Sequence, residues 1–363
     1  MKAKVGLIGL LIISFYILTA FLKPFPSRTN FNDNKQQPIG FSYSFEQAGW
    51  YGLDTRKLYV ELLDMGFDWV RIPFHWDLMT DSSGNLKISD IEYAVAEAKK
   101  KDVKVIIALG VKTPYYPEFH LPKDIKDQIK FGEVVDDKHP IADDVLEMNR
   151  KLVAALSKYD NISHWQIENE PFTANINRIV VDQSLIEKEI EVVREADFRK
   201  RPIMLSHVGP ASFDNRWENL LNLLEPGDAL GVNAYFKTQG VDLFAFEFLG
   251  NQINIAWPGW FSWPVQSWKF LSPDYEAIIK EAKERKIDVW VTEMQAEPYV
   301  RSLEYAKAGD FAYNSSDILK SYDYLSGFNF DGIGFWGAHF WQFRKAQNDS
   351  SWIESVEKIL EKD

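Results

Sequence analysis

Two glutamates stand out because each closes a short apolar run. Glu170 ends Trp165-Gln166-Ile167-Glu168-Asn169-Glu170, just before Pro171, and Glu293 ends Asp288-Val289-Trp290-Val291-Thr292-Glu293. Runs of this kind read as buried strands, so both acids belong at strand tips. Pro171 disfavours a helical conformation at Glu170 and keeps it out of the following helix. Two carboxyl groups displayed at the same end of parallel strands can cleave a glycosidic bond. One protonates the departing sugar oxygen, and the other attacks the anomeric carbon or stabilises its positive charge. Asn169, beside Glu170, can bind a neighbouring sugar hydroxyl. Glu297 is a rival to Glu293, but it lies further past its strand and has less reason to point into the same mouth.

Strand-like runs fall at 40–45, 69–72, 103–109, 162–167, 203–206, 229–234, 289–292 and 332–336. Amphipathic helices are expected between and after them, at 55–65, 90–101, 142–159, 183–196, 213–224, 274–286, 310–325 and 352–361. Strand-then-helix alternation implies an α/β fold with a parallel sheet, and eight such units favour a closed (β/α)8 TIM barrel. In such barrels the chemistry gathers at the carboxyl-terminal ends of the strands. Two connections are long: 110–141, with Pro114, Pro117, Pro122 and Pro140, and 236–272, with Trp257, Trp260, Trp263 and Trp268. Connections of that length are usually functional or carry small elements of their own.

The chain has 363 residues, 46% of them hydrophobic, enough for one large barrel domain over 38–363. A net charge of -12 argues against a nucleic-acid partner, because no basic stripe is present to neutralise phosphates. Cysteine is absent, which excludes disulfides, thiolate metal sites and a Cys nucleophile. The histidines, His75, His120, His139, His164, His207 and His339, lack ligand spacing, so neither a catalytic metal nor a cofactor is expected. Lys2 and Lys4 precede an uncharged run from Val5 to Leu22, long enough to span a bilayer and without an evident small-x-small cleavage site. Residues 1–23 therefore read as a transmembrane helix anchoring the chain, with a cleaved signal as the alternative. Residues 24–37 read as a polar tether, and the barrel is expected to be extracytoplasmic and to act as a monomer.

Asn169-Glu170-Pro171 after the fourth strand and Thr292-Glu293 after the seventh resemble the clan A glycoside hydrolases, most nearly the family 5 cellulase-like group. Arg71 at the end of the second strand, Tyr235 after the sixth and Trp336 after the eighth fit the same pattern, which spans about Gly40 to Trp341. The resemblance implies retaining double displacement on β-linked glycans, with Glu170 as acid/base and Glu293 as nucleophile. It implies that Arg71 and Tyr235 hold Glu293 and that Trp336 stacks on the sugar. Asn169, His75 and Asn233 complete the expected substrate-binding set. Asn233 stands where many relatives have histidine, and the histidine often found after the third strand is replaced by Lys112-Thr113-Pro114-Tyr115-Tyr116. Glu168, by strand parity with Glu170, is expected to face the barrel interior in an ion pair, and Lys112 to be a solvated loop lysine. A glycan-binding barrel without catalysis and a transglycosylase using the same site are the alternative readings.

Overall fold

The structure, a computed structural model, describes residues 37–361 except 82, 175–178, 209–214, 238–241, 249–250, 257–272, 299, 301, 310 and 312. Eight strands form the barrel: β1 (Ile39–Ser42), β2 (Trp69–Pro73), β3 (Lys104–Leu109), β4 (Ile162–Ile167), β5 (Ile203–Val208), β6 (Ala229–Ala234), β7 (Asp288–Gln295) and β8 (Gly332–Trp336). Each pairs in parallel with its sequence neighbours, and β8 closes on β1. The expected (β/α)8 barrel is therefore present.

Element ends differ from expectation where a cap intervenes. Ser44 accepts a hydrogen bond from Gln47 N and starts a short helix, Phe45–Trp50, so β1 stops at Ser42 instead of running to 45. Where one helix is expected over 310–325, two pieces are found, Leu303–Ala308 ahead of that range and Ser315–Leu325 within it. Asn314 and Asp317 form a capping box at the start of the second piece. A further helix, not expected from the sequence, spans Ala338–Ala346. The long connection after β3 contains Val134–Val135, paired in parallel with Val180–Val181. The one after β6 contains an antiparallel hairpin, Asp242–Phe248 with Asn251–Ala256. Its Trp257, Trp260, Trp263 and Trp268 lie outside the described residues.

Inside the barrel, polarity rises along the strands. Trp69, Ile106, Met204 and Ala229 pack with Trp290 as an apolar floor, Trp69 meeting Trp290 edge-on at 5.3 Å between ring centroids. Two positions further on, the same strands present Arg71, Ser206, Gly231 and Thr292. Period-two alternation thus stacks a polar layer on the floor and leaves the carboxylates to the rim. Glycines make room for the floor: a Cβ at Gly40 would lie 2.1 Å from Trp69 Cδ2, and one at Gly334 2.3 Å from Trp69 Cη2.

Gln37, expected in the tether, is 4% exposed and donates its amide to the Phe328 carbonyl, so the docked domain begins one residue earlier than 38. The expected transmembrane helix, 1–23, and the tether residues 24–36 lie outside the described residues. Among the described residues no helix is long and apolar enough to cross a membrane.

The packing at Gly40 yields a stability test. Gly40→Val forces a branched side chain into the Trp69 ring and should cost about 1–3 kcal/mol by overpacking. Chemical denaturation should show a lower midpoint with an unchanged slope; a wild-type midpoint would mean that the floor yields freely.

Candidate active site

Glu170 and Glu293 reach the carboxyl-terminal mouth through local departures from strand regularity. The register of β7 shifts against β6 between Val291 and Glu293, and against β8 between Val291 and Met294. Strict alternation would give only one of two consecutive residues to the interior. The bulge allows Thr292 and Glu293 both to serve it. Thr292 Oγ1 donates to Asn233 Oδ1 at 2.7 Å, while Glu293 stands opposite Asn233 in the ladder.

At the end of β4, Glu168 and Glu170 both have left-handed backbones, with φ of 57° and 50°. Such a conformation is uncommon for side chains other than glycine and costs of order 1–3 kcal/mol, so the surroundings must enforce it. Glu170 N donates to Ser206 Oγ at 3.1 Å, and Lys112 Nζ donates to the Glu170 and Thr173 carbonyls, each at 2.7 Å. Lys112 is fully buried by this role, which corrects its reading as a solvated loop lysine.

The turn also corrects the reading of Glu168. Its carboxylate leaves the barrel axis, accepts from Val111 N at 2.5 Å and Lys112 N at 2.7 Å, and meets Glu189 of helix Gln183–Ala196. Among the described residues Glu168 forms no ion pair. Burial and the neighbouring Glu168 charge hold Glu189 well above the usual carboxyl range, so Glu189 keeps its proton and donates it to Glu168. Burial also pushes Glu168 up, to about 7. The chain passes this pair at Gly110, where φ is 119° and a Cβ would lie 2.3 Å from Glu168 Oε1.

The two candidate acids occupy contrasting surroundings. Glu293 accepts from Arg71 Nη2 at 2.7 Å on Oε1 and from the Tyr235 hydroxyl at 2.6 Å on Oε2. Arg71 is fully buried and gives two further donors to Ser42 Oγ at 2.9 Å and Gln166 Oε1 at 3.2 Å. Burial and the Glu293 charge hold the Tyr235 phenol well above its ordinary range, so it remains a donor. Among the described residues, Glu170 has no cation on its carboxyl. Its Oε1 accepts from Asn233 Nδ2 at 2.6 Å, and burial followed by the Glu293 charge pushes its pKa up to about 8. Two donors, one of them cationic, thus face Glu293, while Glu170 is built to hold a proton.

The remaining expected residues divide. Asn169 is buried, with its side-chain oxygen held by Gln166 Nε2 at 3.2 Å and Ser206 Oγ at 3.4 Å, which orients its amide NH2. Asn233, expected at the sugar, is fully buried with both ends of its amide engaged, and orients Glu170 instead. Trp336 stands at the mouth with the Arg71 guanidinium 5.8 Å from its ring centroid. Tyr115 stacks on it at 4.3 Å, so one indole face is already taken. The Trp336 side chain also donates to Glu297, whose carboxyl is pushed up to about 8 by burial. His75 is turned away from both acids, toward Pro114, Glu46 and His120.

Gln166 and Ser206 tie the Arg71 and Asn169 sides of the site together, and the sequence marks neither as a site residue. The available signal was a polar residue two positions before Glu168 in an otherwise apolar strand. Parity with Arg71 about the barrel axis becomes visible only once the register is known.

A family model described as cellulase (glycosyl hydrolase family 5) matches residues 30–264. No curated protein matches the chain. Among solved structures, GH5_18 from Streptomyces cattleya in complex with GlcNAc has a TM-score of 0.52 at 14% identity, covering 83% of this chain and 70% of that one. Cel5A of Thermotoga maritima in complex with mannotriose has a TM-score of 0.50 at 14% identity, covering 82% and 89%. The beta-galactosidase of the psychrophilic Marinomonas ef1 has a TM-score of 0.52 at 10% identity; 82% of this chain is covered, but only 54% of that one. At these identities the structures attest the barrel alone. The family model spans well over half of the sequence, and the chain accordingly belongs to glycosyl hydrolase family 5 and is a glycosidase.

Proposed function

We propose that the chain hydrolyses β-linked oligo- or polysaccharides with retention, Glu293 acting as nucleophile and Glu170 as acid and then base. The observation that carries this reading is the contrast between the two carboxyls: Glu293 under two donors, Glu170 buried, without a cation among the described residues, and pushed up to about 8. In the first step a Glu293 oxygen bonds to the anomeric carbon as the bond to the leaving oxygen breaks. That oxygen takes the Glu170 proton. Esterification removes the Glu293 charge, the second-largest cause of the raised Glu170 pKa, so Glu170 becomes a stronger acid and is left ionised. As base it then takes a proton from water, which attacks the anomeric carbon and frees Glu293. Retention asks for about 5–5.5 Å between the two carboxyl groups.

Arg71, Tyr235, Asn169 and the open face of Trp336 are the proposed surroundings of the reacting sugar, and Asn233 is a positioning residue for Glu170. Sugars bound in structures of similar fold support a glycan as the substrate class: Manb1-4GlcNAc in a substituted form of GH5_18 from Streptomyces cattleya, and mannotriose in Cel5A. We further propose that residues 1–23 anchor the barrel to a membrane with its catalytic face extracytoplasmic, and that it acts as a monomer.

A screen of β-linked glucans, mannans, xylans and aryl glycosides should find turnover whose first-formed sugar keeps the β configuration by NMR. A first-formed α anomer would indicate inversion and remove the assigned roles. Because the acid step needs Glu170 protonated, kcat/KM should be full below the folded pKa and fall as pH rises through about 8. Glu170→Gln should abolish that limb and lower kcat by about 10²–10⁴-fold on substrates with poor leaving groups. Asn233→Ala removes a hydrogen bond that favours the ionised form, so the limb should move to higher pH; an unmoved limb would exclude this role.

Tyr235→Phe deletes one charge-assisted hydrogen bond to Glu293 and should reduce kcat by about 10–100-fold at an unchanged Tm. Wild-type turnover in that variant would show that Arg71 alone suffices. For the anchor, membrane fractionation with amino-terminal sequencing should find the intact terminus in the membrane pellet; a mature terminus beginning after residue 22 in the soluble fraction would show cleavage.

A further inference from the structure

Beside the catalytic mouth, the segments following β1, β2 and β3 bring together Glu46, His75 and His120. His75 and His120 are buried and stack face to face, with ring centroids 3.5 Å apart and planes 11° from parallel. His75 Nε2 lies 3.1 Å from the Pro114 carbonyl. A carbonyl can only accept, so Nε2 carries the hydrogen, and Nδ1 of the neutral ring is a lone pair. That lone pair lies 2.9 Å from Glu46 Oε2. Two acceptors at this distance repel unless a positive centre lies between them. A proton on Nδ1 shared with Glu46 would supply that centre for His75 alone and would leave His120 unserved.

His120 points to the same position. Its Nε2 is buried without a hydrogen-bond partner, and its Nδ1 lies 3.6 Å from both Glu46 Oε2 and Asp77 Oδ1, too far to hydrogen-bond either. A buried imidazole so poorly satisfied is costly. The separations suit a shared cation instead. Ligands about 2.0–2.1 Å from a tetrahedral metal lie roughly 3.3 Å from one another; Glu46 Oε2 lies 2.9 Å from His75 Nδ1 and 3.6 Å from His120 Nδ1, on either side of that value, and the ligand atoms of all three residues fall within 4.8 Å of one another.

We propose that Glu46 Oε2, His75 Nδ1 and His120 Nδ1 bind one divalent transition metal of the zinc class, with Asp77 holding a water as the fourth ligand. Two imidazoles with carboxylate favour such a metal over calcium or magnesium, which take all-oxygen sets. The Pro114 carbonyl on His75 Nε2 is the outer contact that ligating histidines ordinarily have, and it fixes the tautomer. Binding requires the stacked rings to fan slightly apart so that their lone pairs converge. The metal would fasten the three segments together and, through Pro114, hold the neighbouring Tyr115 against Trp336. Its role is structural, at the rim of the sugar site.

The full-length chain, stripped with a chelator and titrated with Zn²⁺ in a calorimeter, should bind one equivalent and gain in Tm. Co²⁺ in its place should give the visible absorption of a four-coordinate site. Glu46→Gln and His120→Gln should each lose at least about tenfold in affinity, while Glu170→Gln, which alters the catalytic mouth, should bind as wild type. The Glu46 side chain is 43% exposed, so its variant keeps the test open if the histidine variant does not fold. Absence of saturable binding, equal affinity in Glu46→Gln, or loss of binding in Glu170→Gln would each overturn the site.

Discussion

The buried ion pair of Arg71 with Glu293 is the contact on which the rest of the site depends. Neither partner has water to fall back on, their side chains being 0% and 5% exposed. A guanidinium taken out of water is tolerated only when its remaining donors are also satisfied. Here Ser42 and Gln166 each take one of them, which recruits β1 and β4 to the same layer. Gln166 in turn donates to Asn169 and Ser206, and Ser206 receives the Glu170 amide. One buried charge thereby fixes the backbone of one acid and the carboxylate of the other. The apolar floor of Trp69 and Trp290 beneath it keeps the layer dry.

The same arrangement explains why two like residues can do unlike things. The positive charge is committed to Glu293, and among the described residues the Glu170 carboxyl receives the neutral amide of Asn233. Asn233 differs from the histidine many relatives have at this place. A neutral amide cannot itself become cationic, so it leaves Glu170 more of its proton affinity than an imidazolium would. Lys112, whose charge opposes the rise, is held on the carbonyl side of Glu170 rather than on its carboxyl.

Much of the barrel was legible because each strand is a short apolar run and each run ends in a residue that apolar packing does not explain. Arg71, Glu170, Tyr235, Glu293 and Trp336 all show this. What could not be read were breaks in regularity. Parity put Glu168 inside the barrel, but a left-handed backbone at that residue turns it out to Glu189. Parity alone also could not give both Thr292 and Glu293 to the interior, which takes a bulge whose position only the paired strands define. Lys112 looked like an ordinary loop lysine because its two acceptors lie in the segment after β4. His75 and His120 looked scattered because they come together only when the segments after β2 and β3 fold side by side.

Trapping the glycosyl-enzyme tests the division of roles most directly. A 2-deoxy-2-fluoro β-glycoside of a sugar the chain turns over, with an activated leaving group, slows breakdown of the covalent intermediate more than its formation. Mass spectrometry of the inactivated protein should find one sugar per chain, on the peptide containing Glu293, with Glu170 unmodified. A label on Glu170 or Glu297, or turnover by inversion with no covalent adduct, would contradict the mechanism.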